Sequence, residues 1–563
     1  MAKFAVLITH REIVGKEPTR DDLGTVLKKY SRREVVNFFG KLNCLLATWQ
    51  NEPNIERDSK LATYLLPVYQ ERLQAIRNGP LTRLLFSRLT LLFILKQACL
   101  VSPSEGSSVT TDAGRADMGL CCLMANDLVL NSVPSASDDM LRKIANLLPF
   151  SDYVPTDHYP MEIARTKLIL EEILTLPEIK EGKDFVDISK LFEEKFGLSP
   201  QVFCELVFGC ATRSLDISPE KLADPEALIL RDTYFQHSTI SSKLVAQFLS
   251  KVAIPETEFA AKIAESVKRP GDDLTVIQQF PIIEIVPQRF LCIDPGFLVE
   301  KSGRGFYWAL FSELSNAEKT KLPGFWGKLF ESYVNFIIKR CYTAGGRFIP
   351  APRFANGDPS FDACLLEGRD LIVFEHKSSV LRADAKYAGD VEKLRSELNA
   401  KFVEGEENER KGVAQLNHNL CRFLSGELLG ELDPKDISRI YPVLVCLEGS
   451  MTAPYVAQYL RDKFKEIYPR KKFLQVVTPL FTLGITDVEN LLGYLDSFEL
   501  ARILDSYHAE NKTPLTSISG SVVPLLRRAK PGKNLVKQKF EEFAQIMEKD
   551  LFGTETAPID AAT

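Results

Sequence analysis

Histidine is scarce in this chain and cysteine is unpatterned, and together these features remove several chemistries. Six histidines are spread over 563 residues, too widely for the clustered imidazoles of a His-rich metal centre. The eleven cysteines are an odd number and contain no Cys-x-x-Cys. Cys121 and Cys122 are adjacent, and Cys204 and Cys210 have no partners at zinc-site spacing. Others, such as Cys292 in RFLCI and Cys446 in VLVCL, sit in apolar runs where a free thiol behaves as a small hydrophobe. This usage predicts reduced thiols and a cytoplasmic setting.

A long uncharged run is also missing. The most apolar stretch, LTRLLFSRLTLLFILKQACLV from Leu81, is interrupted by Arg83, Arg88 and Lys96, so it predicts a buried helix and no membrane partner. The opening MAKFAVLITHREIVGK has neither the apolar core nor the small-residue cleavage site of a secretory signal. No GxxxxGK[ST] occurs, so any NTP-driven step needs a separate regulatory or ATPase partner. Neither sign of charge dominates: the net charge is −5. Bulk basicity therefore gives no help to a nucleic-acid reading, although a cleft needs only a local positive field.

What remains is an ordinary globular composition, 45% apolar and 26% charged, in a chain too long for one core. The fold class expected is multidomain, α plus α/β. Residues 1–101 and 119–272 carry helical periodicity, as in Val35, Phe38, Phe39, Leu42 and Leu45. They are separated by the polar stretch 102–118, which reads as a linker loop. Near residue 275 the period shortens, and 273–320 reads as a small β-containing region cut by Pro281, Pro287 and Pro295. A mixed core follows over 321–450, then a C-terminal α/β appendage over 451–552 and a disordered tail over 553–563.

Residues 321–450 carry the chemistry. FWGKLFESYVNFIIKR (325–340) predicts a helix. RFIP (347–350), SFDACLL (360–366), LIVFEHK (371–377) and YPVLVCL (441–447) predict strands, with helices over 384–403 and about 408–425. If EGRD (367–370) is the turn of a hairpin, Leu366 pairs with Leu371, and the same register sets Asp362 opposite Glu375. Opposed residues share one face, and alternation adds Lys377 to it. Two facing carboxylates repel unless a cation lies between them, and Mg²⁺, which favours oxygen ligands, is the natural occupant. Lys377 is placed to hold a water or to stabilise charge on a phosphorane. Glu-x-Lys alone says little, since it recurs at Glu178, Glu181, Glu193, Glu409 and Glu510 in polar contexts. Only Glu375–His376–Lys377 ends a buried apolar strand.

The stretch SFDACLLEGRDLIVFEHKSS resembles the signature hairpin of the PD-(D/E)xK phosphodiesterases, the superfamily of restriction endonucleases and many prokaryotic defence and repair nucleases. The order helix, three strands, helix, strand is similar to its restriction-endonuclease-like αβββαβ core. The resemblance implies catalytic Asp362, Glu375 and Lys377. It adds Glu331 on the first helix as a further metal-holding acid beside Asp362 and Glu375, and Gln415 on the later helix as an active-site contact. Lys411 is then placed to meet phosphate. Mg²⁺ is the implied cofactor, with Mn²⁺ able to substitute, and DNA the implied partner. RNA and a catalytically silent nucleic-acid-binding scaffold remain open as alternatives. A single site cuts one strand, so double-strand cleavage favours a homo-oligomer. The sequence departs from the pattern in placing Ser360 between Pro359 and the acid, and in separating Lys377 from Gln415 by an inserted helix.

Basic clusters outside this region are KKYSRR (28–33), YPRKKF (468–473) and RRAKPGKNLVKQK (527–539). The last, with Arg527, Arg528, Lys530 and Lys533, is the best candidate for contacts to a nucleic-acid backbone.

Overall fold

The computed structural model describes residues 5–49, 55–79, 81–131, 140–148, 158–236, 238–267, 273–387, 389–405, 410–453, 455–469, 473–511 and 517–552. The expected tail and residues 470–472 of YPRKKF lie outside the described residues.

The N-terminal part is largely helical. Strand β1 (Ala5–Leu7) comes first, and α1 (Arg32–Ala47) follows. The helix is capped by Ser31, whose hydroxyl accepts from the Glu34 amide at 3.3 Å. It buries Val35, Phe38, Phe39, Leu42 and Leu45, the stripe that its periodicity predicts. Strand β2 (Thr82–Leu84) pairs with β1 in parallel, an element that helical patterning did not reveal. The apolar run forms α2 (Arg88–Val101). Its interrupting charges are satisfied internally: Arg88 Nε donates to Asp294 Oδ2 at 2.7 Å, and Lys96 Nζ to the Asp273 carbonyl at 2.7 Å. Among the described residues no helix is long and apolar enough to cross a membrane.

The expected linker over 102–118 is only partly a loop, because α3 (Asp112–Asn131) begins inside it. The polar residues there act as a helix cap, Thr111 Oγ1 accepting from the Gly114 amide at 3.0 Å. After α4 (Tyr159–Leu168) come β3 (Leu230–Arg231) and β4 (Ala253–Pro255), two short strands within the region expected to be purely helical. They flank the hairpin of β5 (Ile282–Val286) and β6 (Arg289–Cys292) in the order β3-β6-β5-β4. The expected small β region is thus a four-stranded sheet completed by earlier segments, which backbone pairing requires of strands this short.

Helix α5 (Asn316–Cys341) starts at a capping box in which Ser315 and Glu318 satisfy each other's amides. It buries Phe325, Leu329, Phe330, Val334, Ile337 and Ile338 along one face. Then come β7 (Arg347–Pro350), β8 (Ala363–Glu367), β9 (Asp370–Lys377), α6 (Gly412–Leu424) and β10 (Arg439–Cys446). Two further strands, β11 (Val476–Val477) and β12 (Phe481–Gly484), pair in parallel with β10. The sheet order is β11-β10-β9-β8-β7, with β12 also on β10. The expected boundary at residue 450 therefore falls inside one sheet. Strands β7, β8 and β9 are antiparallel neighbours, while β10 lies parallel to β9, with Cys446 level with Lys377. A parallel return needs a crossover, and the segment containing α6 supplies it. Helix α5 covers the face carrying Ile372, Phe374, Tyr441, Val443 and Val445. Helix α6 covers the face carrying Leu371, Val373, Ile440, Leu444 and Cys446.

The β8–β9 hairpin has the expected register, Leu366 pairing with Leu371, but its turn is two residues rather than four. Gly368 takes φ +60°, the sign that a two-residue hairpin turn demands. Glu367 joins the strand because its carboxylate is used elsewhere. It accepts from the Tyr342 hydroxyl at 2.6 Å and from the Leu500 and Ala501 amides at 2.7 and 2.8 Å. It thereby anchors the start of helix α7 (Leu500–Glu510). The inserted helix expected over 384–403 is broken into Ala383–Lys386, Val391–Leu398 and a wide π-type turn, Asn399–Val403.

Candidate active site

The tip of β9 gathers the side chains expected from the sequence. Glu375 is fully buried, and Lys377 Nζ stands 2.6 Å from its Oε1. The same ammonium reaches Gln415 Oε1 of α6 at a long 3.5 Å. Asp362 lies just before β8, but it does not pair with Glu375 as the register alone predicts. The ladder becomes irregular there: both Ala363 and the Asp362 amide are partnered by Phe374, the latter at 3.0 Å to its carbonyl. The Asp362 carboxylate turns to accept from the His376 amide at 2.6 Å. A backbone donor at the strand end thus fixes the acid more firmly than a strand position alone would.

Glu331 comes from the opposite side, on α5. Burial and the charge of Asp362 push its carboxyl up to about 7, with Lys377 and Lys328 opposing. Glu375 is pushed up to about 8 by burial and by Asp362, against the pull of Lys377. Asp362 is also raised, by burial first. Lys377 would be lowered by burial, but Glu375 and Asp362 outweigh that and hold it charged. Three acids thus share one lysine in a poorly solvated place, an arrangement that favours a further cation.

Two residues that sequence reasoning missed set this geometry. Asn335, one helical turn beyond Glu331, donates to the Asp362 carbonyl at 3.2 Å. Asn419, one turn beyond Gln415, donates to the Ser360 carbonyl at 2.7 Å. Each helix therefore offers one residue to the cluster and, four positions later, an amide that clamps the segment carrying Asp362. The signal available in the sequence was this i, i+4 spacing on two helices.

Among the described residues no three His, Cys, Asp or Glu side chains stand together as a ready set of metal ligands. The donor chemistry nevertheless fits a hard divalent ion. Both Glu375 carboxylate oxygens are buried without an aligned hydrogen bond, their contact to Lys377 being an ion pair only. Such open carboxylate oxygens beside a second and a third acid suit Mg²⁺ or Mn²⁺.

The other candidates lie apart or are engaged. Lys411 is at the N-terminus of α6, one turn from Gln415. Arg527, Arg528, Lys530 and Lys533 are exposed on a surface loop. Lys533 acts on Cys341 at the far end of α5, ten residues and about 15 Å along the helix from Glu331. The structure does not bring this run to the acidic cluster. In KKYSRR, Lys29 pairs with Asp117 and Arg32 with Glu256, while Lys28 and Arg33 are exposed. None of the eleven cysteines is in a disulfide.

No protein-family model matches the chain, and neither the curated proteins nor the solved structures contain a match to it.

Proposed function

We propose that this chain is a metal-dependent nuclease with a restriction-endonuclease-like core, hydrolysing DNA phosphodiester bonds. The observation that carries the proposal is the meeting of Asp362, Glu375 and Lys377 at one strand tip, with Gln415 beside the lysine. Asp362 and Glu375 are the residues that would hold the ion, with Glu331 adjacent. When bound, Mg²⁺ or Mn²⁺ supplies Lewis acidity to the scissile phosphate and lowers the pKa of a water. Lys377 directs its ammonium at the attacking oxygen and at the charge that develops on phosphorus. Gln415 orients that ammonium, and burial excludes the water that would weaken both interactions. Among its described residues the helical N-terminal half carries no comparable cluster of acids and lysine, and its role in this reading is recognition or control of the site.

The test compares the wild-type protein with Asp362→Ala and Lys377→Ala on supercoiled plasmid, linear duplex, single-stranded DNA and RNA. Each reaction contains Mg²⁺, Mn²⁺ or EDTA. Cleavage of DNA by the wild type should vanish in EDTA and fall by roughly 10³-fold or more in either variant. Equal cleavage by all three proteins would reject the site, and cleavage confined to RNA would replace the substrate.

A further inference from the structure

His376 has no part in the reaction above, yet its setting resembles that of a ligand. It is 7% exposed, and neither ring nitrogen has a hydrogen-bond partner. A buried polar group left open is costly, and such groups ask for an explanation in an absent partner or a function. A neutral imidazole keeps a free lone pair on one ring nitrogen.

Its direction follows from strand alternation. Glu375 and Lys377 face α6, so His376 faces α5, beside Phe374 at 6.1 Å between ring centroids. On α5, positions 327, 331 and 335 form one stripe. A Cβ at Gly327 would lie 3.5 Å from Ser378 Oγ, and Asn335 bonds to the Asp362 carbonyl. The stripe therefore runs from the residue after β9 to the acid before β8. Glu331 is midway along it, between the level of Ser378 and that of Asp362, and His376 is the residue whose amide holds Asp362.

We infer that His376 and Glu331 are ligands to a divalent cation on the α5 side of β9, next to the position served by Asp362 and Glu375. This rests on the reading that the acidic cluster holds metal. An imidazole donor suits Mn²⁺, whereas Mg²⁺ favours oxygen ligands and retains its waters. His376 therefore biases the site towards Mn²⁺.

The test is pulsed EPR on the full chain loaded with Mn²⁺ alone, alongside the count of ions bound. The wild type should show the ¹⁴N modulation of a directly bound imidazole, and its pattern should change when the histidines carry ¹⁵N, a result that needs no variant. His376→Gln should abolish the modulation and bind one ion fewer per chain. Glu331→Gln should weaken the modulation, and it decides the matter if His376→Gln does not fold. Bound Mn²⁺ without nitrogen modulation in the wild type, or modulation unchanged in folded His376→Gln or in Glu331→Gln, overturns the inference. In that case the nuclease reading stands if Mn²⁺ still supports cleavage. If no Mn²⁺ binds and nothing is cleaved, both fall together.

Discussion

Two buried clusters of charge lie at the same end of the main sheet, and they are built on opposite principles. At the β9 tip, Glu331, Asp362 and Glu375 share Lys377, and all three acids are pushed up. Around α4 and the end of β10 the charges are matched. Arg165 contacts Glu162 at 3.0 Å and Glu489 at 2.7 Å, and Glu489 also accepts from the Tyr333 hydroxyl at 2.6 Å. Just after β10, Glu448 is held by Lys386 at 3.1 Å, by Ser450 Oγ at 2.6 Å and by Arg304 at 3.7 Å. The backbone is fitted to this network, since a Cβ at Gly303 would collide with the Glu162 carboxylate. Burial would raise Glu448, but Lys386 and Arg304 more than reverse it, to about 2. Glu162 is likewise lowered by Arg165 and Arg304 against burial. Glu489, which must share Arg165, is the member that burial wins. Burial of charge therefore does not mark a site. What sets the β9 tip apart is three acids around a single lysine, against two cations on Glu162 and on Glu448 in the other cluster.

The sharpest way to break this comparison is to unbalance the matched cluster. Arg165→Met keeps most of the volume but leaves Glu162 and Glu489 buried without their cation, which should cost about 4 kcal/mol. Urea unfolding would measure it. If the variant is as stable as the wild type, the network is ornamental and the contrast with the β9 tip disappears.

The two clusters should also respond to pH with opposite sign. Glu448 ionises near 4.5 when unfolded and about 2 when folded. Its contribution is therefore complete above pH 4.5 and is lost as pH falls towards 2. Glu375 moves from 4.5 to about 8, so its penalty grows as pH rises through that interval. In EDTA at pH 8, Glu448→Gln should lose about 3 kcal/mol and Glu375→Gln should gain about 2 kcal/mol, the latter discounted for sharing among the three acids. The Glu375→Gln gain should shrink to nothing near pH 4.5. Melting temperatures across pH 3–8 would show it, and a gain that does not vary with pH would mean the carboxylate is not the source.

The legibility of these clusters in the sequence differed for a physical reason. Hairpin register depends on local alternation, so Glu375 and Lys377 were placed on one face from spacing alone, and Leu366 with Leu371 was placed correctly. The irregular step at Asp362 was not visible, because a carboxylate accepting from a backbone amide leaves no pattern in residue spacing. Glu367 was assigned to the turn since nothing local reveals that its partners are the amides of Leu500 and Ala501, more than 130 positions later. The matched cluster escaped notice entirely. Its members, Glu162, Arg165, Arg304, Glu448 and Glu489, come from four separate segments and become a network only when the chain is packed. Strands of two or three residues, such as β3 and β4, are equally silent, because their identity is conferred by the neighbour they pair with.

The smallest predicted effect bears on whether the β9 tip is held in place by its supports or by its own charges. Asn419 Nδ2 bonds to the Ser360 carbonyl at 2.7 Å, two residues from Asp362. Asn419→Ala removes one buried hydrogen bond and should cost about 1 kcal/mol of stability. A support acting only on the fold would leave cleavage by the folded variant unchanged. If it fixes Asp362, kcat should fall roughly tenfold with KM unmoved, since displacement of an acid by about 1 Å is enough to weaken the reacting geometry. Asn335→Ala acts on the Asp362 carbonyl of the same segment, so the two losses should not add. Additive losses in stability with no loss in kcat would assign the rigidity of the tip to the hydrogen bond between Asp362 and the His376 amide instead.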